Sequence, residues 1–386
     1  MTPRSEWRVA VMPGDGIGPE VMAPTVAALQ RLALVQGLRL SLDEIPWPAT
    51  DWHRRHGRMW PEDWREQLAR HDVMLMGALG DPGPGANPER YRLSDSISLA
   101  PLLELRKGFD LWACERPATL LPGAPQVLAD PRARDIDMLV IRENSEGEYV
   151  GQGGRLARGS PREVATQVEV FTRPAAERIF HHAFARARQR AERRRSQPGE
   201  ERRFPLADGA AAEAQVCLIT KRNALAFWGD MYTEVFDEVA SDYPEIATHH
   251  ELVDAACMKF VTSPWNFDVV VASNLHGDIL TDLAAVLAGG MGVAPSSNLN
   301  PADRSVPALF EPTHGSAPDI SGKGLAGPQA MLLTAALMLD WMGEEDPGAA
   351  RAAHALRDAV GADLAEHGVA GRGTAEVGQA ILERLA

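Results

Sequence analysis

Cysteine is scarce: Cys114, Cys217 and Cys257 are the only three in 386 residues, far apart and without a C-x-x-C pair. A disulfide frame or a structural zinc site is therefore not expected, and buried reduced thiols are. Long apolar runs are missing too. No stretch approaches the roughly 18 residues of a transmembrane helix, and residues 1–8 have no signal-peptide core, so a soluble, cytoplasmic protein is expected. Positive charge is in deficit, with 39 Lys and Arg against 53 Asp and Glu and a formal net charge of −14. Nucleic acid and membrane surfaces are not expected as partners, because both call for a positive face. Lysine stands only at Lys107, Lys221, Lys259 and Lys323, every other cation being Arg. That singles out each lysine, since Lys can lose its proton in a protein and Arg cannot.

A chain of this length exceeds one ordinary core and reads as two domains. Its most informative stretch is residues 267–282, F-D-V-V-V-A-S-N-L-H-G-D-I-L-T-D. Val269, Val270, Val271 and Ala272 read as a strand buried on both faces, with Asp268 the one interruption. After a polar crossing at Ser273, Asn274, His276 and Gly277, Ile279, Leu280 and Leu283 recur at helical spacing, which puts Asp278 and Asp282 one turn apart on one helix face. Two carboxylates so placed suit a hard divalent cation. Acidic residues in a first helical turn equally complement the helix dipole, and spacing alone leaves both readings open.

Around this stretch, strand-like and helix-like segments alternate, which implies an α/β fold with a largely parallel sheet and ligands beyond the carboxyl ends of strands. Residues 7–12 read as a strand entering P-G-D-G-I-G-P-E at 13–20 and then a helix to about 36. Pro19 replaces the third glycine of a dinucleotide fingerprint and fits better as a first helical residue. Residues 81–88, D-P-G-P-G-A-N-P, are a breaker-rich loop. Arg106, Arg116 and Arg142 each stand at the edge of an apolar element, where they could converge on carboxylates or serve as ordinary surface ion pairs. Residues 145–172 suggest a hairpin arm of the kind that pairs with a second chain. The eight arginines of 185–203 lack stacking aromatics and read as a solvated helix end and connector. Strands at 215–220, 248–253 and 267–272 end in Lys221, Asp254 and the Asp278/Asp282 pair. Residues 298–301 and 310–320 read as long loops, with His314, Gly315, Ser316 and Asp319 forming a candidate nucleotide pocket. Three helices, about 328–342, 347–367 and 374–385, close the chain.

G-D-x-x-x-D at 277–282 also matches the magnesium motif of haloacid-dehalogenase-type phosphatases. That family needs a D-x-D just after its first strand, whereas Asp135-Ile136-Asp137 precedes the strand at 138–141. The whole set of motifs instead resembles the β-decarboxylating dehydrogenases, the family of isocitrate, isopropylmalate, tartrate and D-malate dehydrogenases. P-G-D-G-I-G-P-E at 13–20, L-L-E-L-R-K at 102–107, I-R-E-N-S-E-G-E-Y at 141–149, N-L-H-G-D-I-L-T-D at 274–282 and E-P-T-H-G-S-A-P-D-I-S-G-K at 311–323 follow the family order over nearly the whole chain. I-R-E-N-S-E-G-E-Y, V-V-V-A-S-N-L and S-S-N-L-N-P look most like the tartrate and D-malate branch.

The resemblance implies a two-domain isocitrate/isopropylmalate dehydrogenase-like fold, a large mixed sheet flanked by helices and not a Rossmann fold. The large, cofactor-side domain would comprise 1–111 and 289–386, and the small dimerisation and metal-binding domain 112–288. It implies Asp254, Asp278 and Asp282 as ligands of Mn²⁺ or Mg²⁺, Tyr149 and Lys221 as the acid–base pair, and Arg106, Arg116, Arg142, Leu99 and Leu102 against a small dicarboxylate substrate. Asp254 and Lys221 would reach the site from the second chain of a homodimer with shared active sites. His314, Gly315, Ser316, Ala317, Asp319, Ile320, Gly327 and Asn274 would bind the cofactor, and Asp319-Ile320 looks like the NAD-type pair, since a carboxylate accepts from a ribose 2′-hydroxyl and repels a 2′-phosphate. The implied reaction is NAD-dependent oxidation and decarboxylation of a malate-type 2-hydroxy diacid. Departures bear on the substrate and cofactor. Residues 98–101, S-L-A-P, lack the Trp usual before L-L-x-x-R, which leaves room for a larger C3 substituent of the isopropylmalate kind. His276 stands where Phe or Tyr is usual, Glu115 where a neutral residue is, and Gly327 where Asn is, while 368–373 replaces T-x-D-L-G-G. A non-catalytic binding paralogue is the alternative from another class.

Overall fold

A computed structural model describes residues 6–81, 93–196, 202–206 and 209–385. The breaker-rich loop expected at 81–88 lies outside them from residue 82 onward, as do residues 197–201 of the arginine-rich segment. The chain divides into two compact units. One holds Met1–Leu111, Thr119–Arg134 and Ala285–Ala386, the other Trp112–Ala118 and Asp135–Ala284. Residues 119–134, which the sequence assigns to the smaller domain, cluster with the first unit.

In the first unit the strands run in the order Pro295–Leu299, Ala308–Pro312, Val73–Ala78, Trp7–Gly14 and Leu40–Glu44. Val9 and Val11 pack into one core layer with Leu29, Leu75, Met331, Leu339 and Val360, while Ala10 and Met12 pack into another with Met74, Met76, Trp60 and Leu105. Alternate residues are thus buried on opposite faces, as in a strand covered on both sides. The Gln329–Gly343 helix is apolar nearly all round because it is buried nearly all round.

The sequence reads 298–301 and 310–320 as loops; this holds for 300–301 and 313–320, while 298–299 and 310–312 are corrected to strand. Pro295–Leu299 and Ala308–Pro312 are fully buried strands, paired antiparallel with Ser297 opposite Phe310. Their polar residues hide the strand pattern, and partners make burial tolerable: Asn298 Nδ2 donates to Glu311 Oε1 at 2.9 Å.

In the second unit the order is Ala247–Leu252, Gln215–Thr220, Val269–Ala272, Asp137–Glu143 and Ala113–Thr119. Val269–Ala272 lies parallel between two strands, Val270 facing Cys217 on one side and Val140 on the other. One sheet face is covered by Ile179, Phe180, Ala183, Phe184 and Ala187 of the Arg173–Arg195 helix. The Gly153–Leu156 and Val164–Gln167 strands form a hairpin with every residue exposed.

The arginine-rich segment is only in part the solvated end expected of it: Arg188, Arg193, Arg195 and Arg203 are exposed, whereas Arg190 and Arg194 are buried. Arg190 Nε donates to Asp268 Oδ1 at 2.8 Å, and Arg194 holds the same carboxylate through both Nη atoms. Asp268 is wholly buried, Arg190 and Arg194 nearly so. The other six arginines pair as well, Arg186 with Glu115, Arg188 with Glu245, Arg193 with Asp137, Arg195 and Arg203 with Glu213, and Arg202 with backbone carbonyls of Asp137 and Phe267. Glu115, out of place by family pattern, is explained by the same helix. Burial alone would raise its carboxyl, but the Arg186 guanidinium and the His182 ring, 2.7 Å away, outweigh that and hold it at about 2.

Asp268→Asn would leave the buried Arg194 guanidinium without a counter-charge and Arg190 with Asp137 alone, 2.8 Å away, and removing one partner of such a buried network costs on the order of 3–5 kcal/mol. The expected outcome in urea is a markedly lower unfolding midpoint for the variant. A loss below about 1 kcal/mol, the range of exposed pairs, would contradict the assignment.

Candidate active site

In the second unit, parallel strands end where the Asn274–Leu287 helix begins. Arg142, on the Asp137–Glu143 strand, is 2 % exposed. Its Nη1 pairs with Asp278 Oδ1, and its Nε donates to Asn274 Oδ1 at 2.9 Å. The stem lies so close to the helix that a Cβ at Gly277 would meet Arg142 Cβ at 2.7 Å. Tyr149 OH donates to Asp278 Oδ2 at 2.9 Å, and the Arg142 guanidinium lies over the Tyr149 ring at 5.0 Å. Arg116, from the Ala113–Thr119 strand, donates to Thr281 Oγ1 at 2.7 Å and stands 3.5 Å from Asp282 Oδ1 and 3.8 Å from Asp278 Oδ1. Arg116, Arg142, Tyr149, Asp278 and Asp282 are therefore one cluster. Burial pushes the Asp282 carboxyl up; Arg116 and Arg142 oppose that, and Asp278 adds to it.

Lys221 follows the Gln215–Thr220 strand and donates to Asp254 Oδ1 at 2.7 Å. That bond holds the Asp254 carboxyl below its usual range. Among the described residues, no three His, Cys, Asp or Glu side chains gather into a set that could hold a metal ion, so Asp254 and the Asp278/Asp282 pair of one chain are not one ligand set. His276 is buried with its ring tilted against Trp228, centroids 5.8 Å apart. Burial, and then the charge of Lys221, lowers its pKa, so the ring is held neutral and packs as an aromatic would. Asn274, expected at the cofactor, uses its carboxamide on Arg142 Nε and, as a donor, on the Glu146 carbonyl at 2.9 Å.

The first unit holds a second set. Arg106, 5 % exposed on the Ala100–Gly108 helix, donates to Glu311 Oε1 at 3.2 Å. Glu311 was not singled out in the sequence; the signal available was an acidic residue inside the apolar F-E-P strand. Leu99 is exposed and Leu102 half-buried. In the loop after the Ala308–Pro312 strand, Gly315 and Asp319 are exposed, Ser316 is buried, and His314, Ala317 and Ile320 are half-buried. Burial lowers the His314 pKa. At Gly327 any Cβ would meet Gln329 Oε1 at 2.4 Å, so the buried Gln329 carboxamide occupies the space a side chain at 327 would need.

A sequence profile described as isocitrate/isopropylmalate dehydrogenase matches residues 8–197 and 201–381. The chain belongs to the isocitrate/isopropylmalate dehydrogenase family. It is 41 % identical over 382 residues to the 3-isopropylmalate dehydrogenase of Thermobifida fusca, covering 98 % of each chain. It is 42 % identical over 340 residues to the D-malate dehydrogenase (decarboxylating) of Escherichia coli, covering 88 % of this chain and 86 % of that one. It is 39 % identical over 391 residues to the tartrate dehydrogenase/decarboxylase of Pseudomonas putida, covering 100 % and 99 %. The fold is the family's, with a mixed sheet flanked by helices, and the enzyme class is a decarboxylating dehydrogenase acting on a CH–OH group. The near-equal identities leave the substrate open. Family members generally use NAD(P) and a divalent metal, and are commonly homodimers acting on small substrates. No helix among the described residues is long and apolar enough to cross a membrane.

The donor set fits a hard divalent ion, since Asp278 and Asp282 offer only carboxylate oxygens and their side chains are 37 % and 64 % exposed.

Ahead of the first-unit loop, Asp15 is buried, accepting from Thr50 N and Oγ1, both at 2.7 Å, and from Gly80 N at 3.3 Å. Burial outweighs these bonds and raises its carboxyl from 3.8 to about 6. Because the folded value lies above the unfolded one, Asp15 favours folding fully below pH 4, and that contribution is lost as pH rises through about 6. Asp15→Asn, neutral at every pH, should remove this slope. Wild type is expected to lose up to about 3 kcal/mol relative to the variant between pH 4 and 6 and nothing further above pH 7, read as the difference of their urea stabilities. A pH-independent difference would refute the shift.

Proposed function

We propose that this enzyme oxidises and decarboxylates a malate-type 2-hydroxy diacid, tartrate, D-malate or a related 3-substituted malate, with NAD as oxidant. The observation that carries the reading is the cluster of Arg116, Arg142 and Tyr149 around Asp278 and Asp282. Two guanidinium groups suit substrate carboxylates, which would exchange places with the aspartates they now touch. Arg106, held by Glu311, is assigned to the substrate by its family position. Asp278 and Asp282 would hold Mn²⁺ or Mg²⁺ together with Asp254 of a second copy. The ion, when bound, supplies Lewis acidity at the 2-hydroxyl and a positive charge for the enolate.

Lys221, in its neutral form, accepts the hydroxyl proton as hydride leaves C2 for NAD. The 2-keto acid so formed carries a carboxylate β to the ketone, loses it as CO₂ and becomes an enolate. Tyr149, oriented through its hydroxyl by Asp278, returns a proton to the enolate carbon. NAD is favoured over NADP because Asp319 is an exposed carboxylate in the loop assigned to adenosine. Sharing of the site between two copies is supported by the absence, among the described residues of one chain, of a group of three His, Cys, Asp or Glu side chains that could hold a metal ion. It is supported too by exposed apolar residues beside the proposed ligands, Met258 and Val261 on the helix of Asp254 and Ile279 next to Asp278.

A bulkier, isopropylmalate-like substituent is the second reading. Ile97, Leu99 and Leu103 are exposed in and beside the segment that lacks the Trp.

Two experiments test the function. NADH formation with Mn²⁺ over 2-hydroxy diacids varied at C3 should show turnover on tartrate or D-malate, with NADP a poorer oxidant. Turnover confined to branched C3 substituents would favour the second reading, and none on any member would refute both. Lys221→Met should abolish oxidation of the hydroxy acid yet leave decarboxylation of the keto acid partly intact, whereas equal loss of both steps would sink the assignment of Lys221 as base.

A further inference from the structure

The P-G-D-G-I-G-P-E segment takes no part in the chemistry above, yet the first unit's loop is built on it. The Ile17 N–H donates to the Ser316 carbonyl at 3.0 Å. Gly16, at φ 59°, lies so close that a Cβ there would meet the same carbonyl oxygen at 2.0 Å. One turn into the Gly18–Gln36 helix, the Glu20 carboxylate takes two backbone donors at once, the N–H of Gly322 on Oε1 and that of Gly324 on Oε2, the latter at 2.8 Å. Both glycines have positive φ, 77° and 61°, so the turn that follows Asp319 and Ile320 has a backbone shape that ordinary side chains disfavour. The loop's far end is tied as well. Thr374 N donates to the Gly324 carbonyl at 2.9 Å, and Thr374 Oγ1 donates to the Ala326 carbonyl at 2.6 Å.

We propose that Glu20 is a positioning residue for the cofactor: its carboxylate clamps the Gly322–Gly324 turn and so sets where Asp319 and Ile320 stand. The inference rests on the reading that residues 314–320 bind NAD. A carboxylate suits this task because it is acceptor-only, with one oxygen for each N–H. Charge-assisted bonds to backbone amides are also roughly twice as strong as neutral ones. The same segment that resembles a phosphate cradle thus uses its glycines for a close backbone approach, and its acidic residue to hold a loop instead of a ligand.

Glu20→Gln keeps the size of the side chain but turns an amide –NH₂ toward one of the two N–H groups. Fluorescence titration of the variant with NADH should show a dissociation constant raised on the order of tenfold, at an unchanged melting temperature of the unliganded protein. With whichever of tartrate, D-malate or isopropylmalate turns over, KM for NAD should rise, while kcat at saturating NAD and KM for the diacid stay within about twofold. An unaltered NADH affinity, or a parallel change in both KM values and kcat, overturns the clamp. Should Glu20→Gln lower the melting temperature, Thr374→Val removes the Oγ1 tie to Ala326 and leaves the backbone tie to Gly324: weaker NADH binding at unchanged diacid KM supports the inference, and unchanged binding overturns it. Asp319→Ala separates the two levels. If it leaves NADH affinity intact, the cofactor reading itself fails; if it weakens NADH while Glu20→Gln does not, only the role of Glu20 falls.

Discussion

Arg142 is the side chain around which the candidate active site is arranged. A guanidinium that is 2 % exposed has to find partners for all its donors, and Arg142 finds Asp278 and Asn274 on one helix, with the Tyr149 ring under its plane. This arrangement requires strand and helix to approach closely, and Gly277 permits that approach by having no Cβ to strike the Arg142 stem. The glycine of G-D-I-L-T-D is therefore a packing requirement, and the aspartate after it is aimed by the arginine that packing admits. Asp278 is held in turn by Arg142 and Tyr149, so a cation proposed for this position would compete with the guanidinium for its carboxylate.

Behind the site, buried charge fixes the sheet to its covering helix. Asp268 stands immediately before the most apolar strand of the second unit, Val269–Ala272, and its wholly buried carboxylate is tolerable only because Arg190 and Arg194 descend on it from the Arg173–Arg195 helix. Glu115 repeats the device one residue before Arg116, with Arg186 and His182 of the same helix as partners. Each network sets the register of a strand that carries, a few residues on, a member of the site: Asp268 leads to Asn274 and Asp278, and Glu115 to Arg116. Such networks add little net stability beyond what an apolar replacement would give, but removing one partner is costly. Their effect is to make one register of helix on sheet much better than its neighbours.

Much of this was legible from residue order. Apolar runs marked the strands at 7–12, 215–220 and 269–272, and the residues just after them, where an α/β sheet places ligands, include Lys221 and Asn274. What was not legible is long-range pairing of polar groups. Ser296, Ser297 and Asn298 do not alternate with apolar residues, so their strand was read as loop; it is specified by Glu311, 13 residues on, which satisfies Asn298. The arginines of 185–203 read as solvated because nothing local reveals that Asp268, 74 residues beyond Arg194, waits beneath them. His276 looked anomalous as a polar residue beside the carboxylate pair. Against Trp228, with its pKa lowered by burial, it is an aromatic ring among aromatic rings.

Lys221 and Asp254, which the proposed function assigns to the site of a second copy, are paired with each other within one chain. Lys221 and Asp254 end neighbouring parallel strands, their registers locked from Gln215 opposite Ala247 to Thr220 opposite Leu252. Alone in one chain they neutralise each other at 2.7 Å, a stable resting pair for two exposed charges. The pairing stands in the way of the roles proposed for them, since a base must be free of its proton and a ligand free of a competing cation. A divalent ion held by Asp254 would therefore compete with Lys221 for one carboxylate, and the pair would have to part before either residue took up the role proposed for it.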